Sequence, residues 1–136
     1  MSANLGLVRS IFADWERGDF SDASWAHPKI EFAFVDGPEP GHWHGIEQMD
    51  AAWHDWLGGF VSFRSEAHEC RELDHGRVLA LTTFIGRGRA SGVDLGQMTT
   101  KQAATFQIRD GKVTRLGLYW DRNRALGDLG LAPEAG

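Results

Sequence analysis

The sequence predicts an α+β fold in which helices gather on one face of a curved antiparallel sheet. Apolar residues recur at helical spacing in the first half of the chain and alternate at strand spacing in the second half. Glycine-containing turns separate the alternating segments, as in consecutive hairpins. A long amphipathic helix laid on a bent sheet encloses a cone between the two layers, and aromatic residues would form the wall of that cone.

Helical segments and one strand are predicted in the first half of the chain. The apolar stripe of residues 3–17 predicts an amphipathic helix, and residues 19–28 are interpreted as a second, short helical turn. Residues 29–36 alternate as in a strand, with Asp36 on the same face as the phenylalanines before it. The helical period then returns over residues 45–57.

The second half of the chain is predicted to be mostly strands joined in hairpins. The predicted strands are residues 60–73, 77–90, 98–108 and 112–120. A looser turn is expected at residues 91–96, and "RDG" is a strong hairpin signal between the last two strands. A short helix should follow Asp121, and the whole chain forms one domain, residues 1–136, with a flexible tail over about 132–136.

Composition limits the classes of function. The net charge of −5 argues against binding to nucleic acid. Cys70 is the one cysteine, which excludes an intrachain disulfide and fits a cytoplasmic setting. The chain has no run of the roughly 20 apolar residues that a membrane span requires. Six tryptophans and eight phenylalanines in 136 residues are unusual, and they indicate either a crowded core or a ligand cavity.

Four short motifs, in this order along the chain, resemble those of a known superfamily. They are "ERGDF", "HWHG", "RDGKVTRL" and "YWDRNRALGDLGL". Together with the order of elements they resemble the nuclear transport factor 2-like superfamily, and within it the SnoaL-like polyketide cyclases and, more distantly, the ketosteroid isomerases. The resemblance implies a cone-shaped roll of antiparallel or mixed sheet around a long first helix and two or three shorter ones. It also implies a homodimer through the outer sheet face.

The resemblance carries two carboxylates over to this chain. Asp36 stands where ketosteroid isomerases place their general base, at the end of the first strand. Asp121 stands where SnoaL-like cyclases place an acid/base aspartate. The resemblance therefore implies acid/base catalysis without a cofactor.

The sequence also departs from both groups. The positions of the isomerase oxyanion hole align with Ile11 and Ala104, whose side chains cannot donate a hydrogen bond. The sheet histidine of the cyclases has no counterpart in residues 98–108. Steroid isomerisation of that type is therefore not expected, and the cyclase mechanism cannot be copied whole.

Each candidate catalytic residue has a second interpretation. Asp36 either faces the cone as a base or bonds backbone groups in the turn that follows. Asp121 either faces the cone or caps the last helix. His44 either shuttles protons in the cone or lies in solvent. For His42 and His44 together, no carboxylate or cysteine at ligand spacing completes a metal site, so no metal is predicted.

The predicted ligand-binding residues are mostly aromatic. They are Phe12, Trp15, Phe34, Trp53, Trp56, Gln102, Phe106 and Trp120. The aromatic members could equally be plain core, and Gln102 could be an ordinary strand residue.

Two classes of function remain open at this level. One is an enzyme that performs acid/base chemistry on a hydrophobic, carbonyl-bearing compound such as a polyketide-like intermediate, with isomerisation, cyclisation, dehydration and epoxide hydration all possible. The other is a non-catalytic module that holds a hydrophobic ligand or takes part in assembly. A third arrangement is a cone filled by its own tryptophans.

Overall fold

A computed structural model describes residues 2–37, 40–90 and 93–133, and within these ranges it contains three helices and six strands. The helices are α1 (Ala3–Glu16), α2 (Gly45–Leu57) and α3 (Arg122–Asp128). The strands are β1 (Ala26–Phe34), β2 (Gly41–His44), β3 (Phe60–Glu72), β4 (Arg77–Ala90), β5 (Val93–Arg109) and β6 (Lys112–Tyr119). The predicted α+β class is confirmed.

The six described strands form one mixed sheet in the order β2-β1-β6-β5-β4-β3. The pair β1–β6 is parallel and every other neighbouring pair is antiparallel. The register shifts in β3 between Phe60 and Ser62 and again between Ala67 and Glu69. Irregularities of this kind bend a sheet. Helix α1 packs against β3, and α2 packs against β1, so both helices lie on the concave face.

The helix ends follow from local sequence. The Ser2 side chain accepts a hydrogen bond from the backbone N–H of Leu5 at 3.0 Å and so caps the start of α1. Just after α1, Gly18 has a φ of +77°, a backbone conformation that favours glycine. On the side of α2 that faces the sheet, Met49, Ala52 and Trp53 are buried.

Apolar side chains pack on both faces of the sheet. The larger cluster lies between the concave face and α1 and α2, and Ile30, Phe32 and Leu116 are completely buried in it. The smaller cluster lies on the convex face, where Leu79, Leu81 and other apolar side chains pack against α3.

Prediction and structure differ in three segments. Residues 19–25 are irregular and end in a turn at Ser24 and Trp25 rather than forming a helix, because the Asp19 carboxylate accepts bonds from the Ser21 backbone and hydroxyl and thereby competes with helical hydrogen bonding. The first strand consequently starts at Ala26 and includes Pro28. Strand β2 was not predicted, since a four-residue strand carries little periodicity.

The remaining segment predictions can be compared with the structure only over the described residues. Strand β5 starts at Val93, earlier than the predicted residue 98. Most of the predicted flexible tail, residues 134–136, lies outside the described residues, as do residues 91–92 of the predicted loose turn. In the described part of the chain, no helix is long and apolar enough to cross a bilayer.

Candidate functional site

A small cavity lies between the concave face of the sheet and the two longer helices. It is lined by Phe12 and Trp15 of α1, Trp53 and Trp56 of α2, Phe34 of β1, Phe63 and Ser65 of β3, Thr82 of β4, Gln102 and Ala104 of β5, Leu118 of β6, and Trp120. Among the described residues, eleven from seven elements, together with Trp120 just after β6, therefore converge on one space.

The helices hold their aromatic side chains by spacing. Phe12 and Trp15 are three residues apart, as are Trp53 and Trp56, so each pair projects from one helix face. The Trp15 and Trp53 rings lie 5.5 Å apart between centroids, which joins the two helices across the cavity. Trp15 is 2% exposed and forms a fixed wall.

Three half-buried aromatic side chains, Trp56, Phe63 and Trp120, form the more exposed part of the cavity lining, which we call the mouth. The Trp56 ring meets the Trp120 ring edge-on, with 6.1 Å between centroids. It also meets Phe63 at 6.2 Å. Trp56, Phe63 and Trp120 are less buried than the wall aromatic residues Phe12, Trp15, Phe34 and Trp53.

Three neutral polar side chains form a strip on the sheet side of the cavity. Ser65 and Thr82 are buried, and Gln102 is half-buried. Thr82 and Gln102 are directly paired across β4 and β5, so their side chains lie next to each other. Among the described residues, none of these three side chains has a hydrogen-bond partner in the protein, and their polar atoms are free to bind a ligand or water.

The backbone behind this polar strip is held from α3. The Arg122 guanidinium donates to the carbonyl oxygen of Gln102 at 2.8 Å and to that of Thr82 at 2.6 Å. These bonds fix the positions of the two residues while their side chains stay available.

The space left inside the cavity is about 20 Å³. That volume holds about one water molecule. The aromatic side chains therefore fill most of the cone, and a ring compound can enter only if side chains at the mouth move.

Asp36 lies outside the set of cavity-lining residues. Strand β1 ends at Phe34, and the Asp36 carboxylate turns to the end of β6. It accepts the backbone N–H of Trp120 at 2.5 Å and that of Asp121 at 3.3 Å. Gly37 lies so close to the Trp120 ring that an added Cβ would be 2.5 Å from it. In this arrangement Asp36 positions the strand end that carries Trp120.

Asp121 caps α3. Its carboxylate accepts bonds from the backbone N–H groups of Asn123 at 2.9 Å and Arg124 at 3.3 Å. The side chain is exposed and is not part of the cavity lining.

His44 lies on the opposite side of the sheet from the cavity. Along β2, Trp43 packs inward against Phe32 and Phe34, so the neighbours His42 and His44 point outward. The His44 side chain is 63% exposed, and its Nδ1 is 3.9 Å from Oε1 of Glu31.

The other predicted ligand-binding residues divide into lining and core. Phe12, Trp15, Phe34, Trp53, Trp56, Gln102 and Trp120 all line the cavity. Phe106 is 1% exposed and packs behind Phe12, with 6.0 Å between ring centroids, outside the lining set. The structure adds five lining residues that were not predicted: Phe63, Ser65, Thr82, Ala104 and Leu118. A threonine on the inward face of an otherwise apolar strand was the available signal for Thr82.

Two other ionisable groups, Cys70 and Tyr119, have raised pKa values. Burial raises the pKa of the Cys70 thiol, which leaves little thiolate at neutral pH. On the convex face, the Tyr119 hydroxyl donates to Asp128 at 2.7 Å, and burial together with this bond raises the pKa of Tyr119 to about 12. This bond fastens α3 to β6.

Similar folds occur in solved structures at low sequence identity. A protein assigned as a SnoaL-like polyketide cyclase from Jannaschia sp. CCS1 has a TM-score of 0.71 and 16% identity, with 86% of this chain and 84% of that chain covered. TerC, crystallised with polyporic acid, has a TM-score of 0.72 and 21% identity over 94% of this chain and 98% of its own. A nuclear transport factor 2-like protein of unknown function from Burkholderia pseudomallei K96243 has a TM-score of 0.73 and 18% identity over 93% and 97%.

These likenesses confirm the cone-shaped fold that the motifs indicate. No curated protein sequence matches the chain. The family model of the SnoaL-like domain matches residues 8–116, which is most of the chain. The protein therefore belongs to the SnoaL-like domain family, as the sequence motifs predicted.

Proposed function

We propose that the protein binds a flat, apolar ring compound in the cavity, with an oxygen atom of the compound facing the polar strip. The observation that carries this proposal is the lining itself: aromatic rings on the walls, three unpaired neutral polar side chains on one side, and no ionisable side chain among the twelve lining residues described. Apolar sites with a few placed polar groups are typical of small-molecule sites.

The polar strip suits a carbonyl or hydroxyl oxygen. Thr82 offers a hydroxyl, and Gln102 offers both an amide donor and an acceptor. Because they are neighbours across the β4–β5 pair, they can bind one oxygen together. Polyketide-like compounds present this combination of flat rings and oxygen atoms.

Binding requires the mouth to open. A space of about 20 Å³ must grow to accept a ring system, since small-molecule sites are typically several hundred Å³. Trp56 is the side chain placed to open it, because it is half-buried and is followed by Gly58 and Gly59 at the end of α2. Displacing its indole would connect the cavity to solvent.

Polyporic acid is a suitable first probe, since TerC was crystallised with it. The test is a titration of the protein with polyporic acid, in which binding is monitored by the quenching of tryptophan fluorescence. We expect saturable quenching, and we expect Thr82→Val to weaken binding by about tenfold, the cost of one lost hydrogen bond in a buried site.

Thr83→Val is the matched control. Thr83 is the next residue on β4 but faces the other way, where its hydroxyl lies 2.7 Å from His68. The control should bind polyporic acid like the wild type. An equal loss of affinity in Thr82→Val and Thr83→Val would contradict a site in the cavity. So would fluorescence quenching whose rate and extent are the same in Trp56→Ala as in the wild type.

Acid/base catalysis by Asp36 is a second candidate, and one observation favours it. The carboxylate is half-buried and bonds the backbone of Trp120, whose side chain lines the cavity. Asp36→Asn separates the candidates. If Asp36 is the base, Asp36→Asn abolishes the turnover of a bound compound and leaves its affinity unchanged. Turnover is monitored by mass spectrometry. If Asp36 only positions Trp120, turnover does not depend on its charge.

The homodimer stays a prediction. Its test is the mass in solution by light scattering. A dimer has twice the chain mass of 15.1 kDa, and a value near 15 kDa at all concentrations would rule it out.

A further inference from the structure

Glu31, His42 and His44 form a cluster of metal-ligating groups on the convex side of the sheet, away from the cavity. One ligand atom from each lies within 4.8 Å of the other two. The two imidazole rings are 5.0 Å apart between centroids. His42 and His44 are exposed and Glu31 is half-buried, so a dissolved ion can reach all three.

The pairing of β1 with β2 brings the third ligand to the histidines. Glu31 is directly opposite His44 in the antiparallel register, although thirteen positions separate them in the sequence. The histidines are two residues apart on one strand and so share a face. Local spacing does not reveal this carboxylate as a third ligand, because its position beside the histidines depends on strand β2, which was not predicted.

The backbone under the cluster is well anchored. Trp43, between the two histidines, packs on Phe32 and Phe34 on the concave side. Gln48 accepts the backbone N–H of His44 at 2.9 Å, and the His44 side chain makes no capping bond to α2. The imidazoles are therefore held in place at their backbone and remain available at their nitrogens.

We propose that these three side chains bind one divalent transition-metal ion, with zinc the best match to two imidazoles and one carboxylate. Ligands at about 2.0–2.2 Å from zinc are separated by about 3.3 Å in tetrahedral geometry. The present separations close to that value by small side-chain rotations, which exposed side chains make readily. Three protein ligands leave the fourth position to water or to an outside ligand.

The charges around the cluster set how tightly the ion is held. Arg115 of β6 is in register with Glu31, and Lys29 is on the same face of β1. Both bring positive charge near Glu31 and so oppose cation binding. Arg115→Gln should therefore tighten zinc binding, whereas substitution of any of the three ligands should weaken it.

A bound ion would link the edge strand β2 to β1 and stabilise the pairing of the two strands. An ion that binds only the folded arrangement stabilises it in proportion to its saturation. Zinc should therefore raise the melting temperature of the wild-type protein but not that of a variant without the ligands.

The test is isothermal titration of the tag-free, metal-stripped protein with zinc chloride. We expect one ion per chain for the wild type, and at least tenfold weaker binding for His42→Ala, His44→Ala and Glu31→Gln. His54→Ala is the matched control, since it removes another exposed histidine, on α2, that lies outside the cluster. Circular dichroism checks that each variant is folded.

Two results would overturn the proposal. One is the lack of saturable zinc binding by the folded wild-type protein at about 100 µM, above the range in which a built site should fill. The other is binding that His42→Ala and His44→Ala leave unchanged, or that His54→Ala weakens as much as they do.

Discussion

The two faces of the sheet differ in what their side chains can do. On the concave face, rings and three neutral polar groups surround a nearly filled cavity. On the convex face of β1 and β2, ionisable groups lie together in the open. The carboxylates that the family resemblance singles out belong to neither set, because Asp36 bonds backbone N–H groups at the end of β6 and Asp121 bonds those in the first turn of α3. The difference separates a neutral aromatic face, which we propose recognises a ligand by shape, from charged groups that fasten the backbone or, in our proposal, bind an ion.

The largest effect is expected where shape matters most. Trp15 is almost fully buried and meets the rings of Phe12, Phe20, Trp25, Trp53 and Phe106. Trp15→Ala should lower the free energy of unfolding by about 3–5 kcal/mol, measured by urea denaturation. Trp56→Ala at the mouth is the control and should cost clearly less. Similar losses would break the distinction between wall and mouth.

A smaller effect is expected at the junction between the faces. Asp36→Ala leaves the backbone N–H groups of Trp120 and Asp121 without their acceptor. The free energy of unfolding should fall by about 2 kcal/mol, as for hydrogen bonds to charged groups. Asp36→Asn keeps one acceptor oxygen and should lose less. A stability unchanged in both variants would show that the carboxylate does not fasten β6.

Asp121 should contribute less than Asp36. It caps a helix of seven residues, and loss of an N-cap costs about 1 kcal/mol. Asp121→Ala should lower the unfolding free energy by that amount, and Asp121→Ser should restore much of it. If serine fails to restore stability while both variants lose ligand turnover, a role in chemistry would replace the capping role.

The last effect concerns Tyr119 on the convex face and appears only at high pH. Its folded-state pKa, about 12, is above the unfolded value near 10, so the folded state holds the proton more tightly. Its contribution is therefore fully present below pH 10 and is lost as the pH rises towards 12. Wild type should lose stability over that range more steeply than Tyr119→Phe, as measured by urea denaturation at each pH. Parallel losses would contradict the raised pKa.

Sequence periodicity was sufficient for the long elements and insufficient for contacts between them. The stripe of α1 and the hairpin signal at "RDG" led to correct segments. The segment 19–28 misled because Ser21 suggests a cap, whereas Asp19 binds Ser21 in a turn. Short-range side-chain bonds of this kind decide between turn and helix without altering the apolar pattern.

The lining of the cavity was predicted in part for the same reason. Residues on strong faces, such as Trp53 and Trp120, could be placed by alternation and helical spacing. Asp36 could not, because β1 ends two residues before it and its direction is set by N–H groups 84 and 85 positions away. Glu31 and His44 likewise meet only through strand register. Neither partner could be read from local spacing.

The most direct test of the account is a crystal structure of the protein with polyporic acid bound. The account predicts the compound among Trp15, Trp53 and Trp120, an oxygen within hydrogen-bonding distance of Thr82 or Gln102, a displaced Trp56 indole, and Asp36 still bonded to the Trp120 N–H. A compound bound on the convex face, or one in contact with a released Asp36 carboxylate, would contradict recognition by a neutral, aromatic cavity.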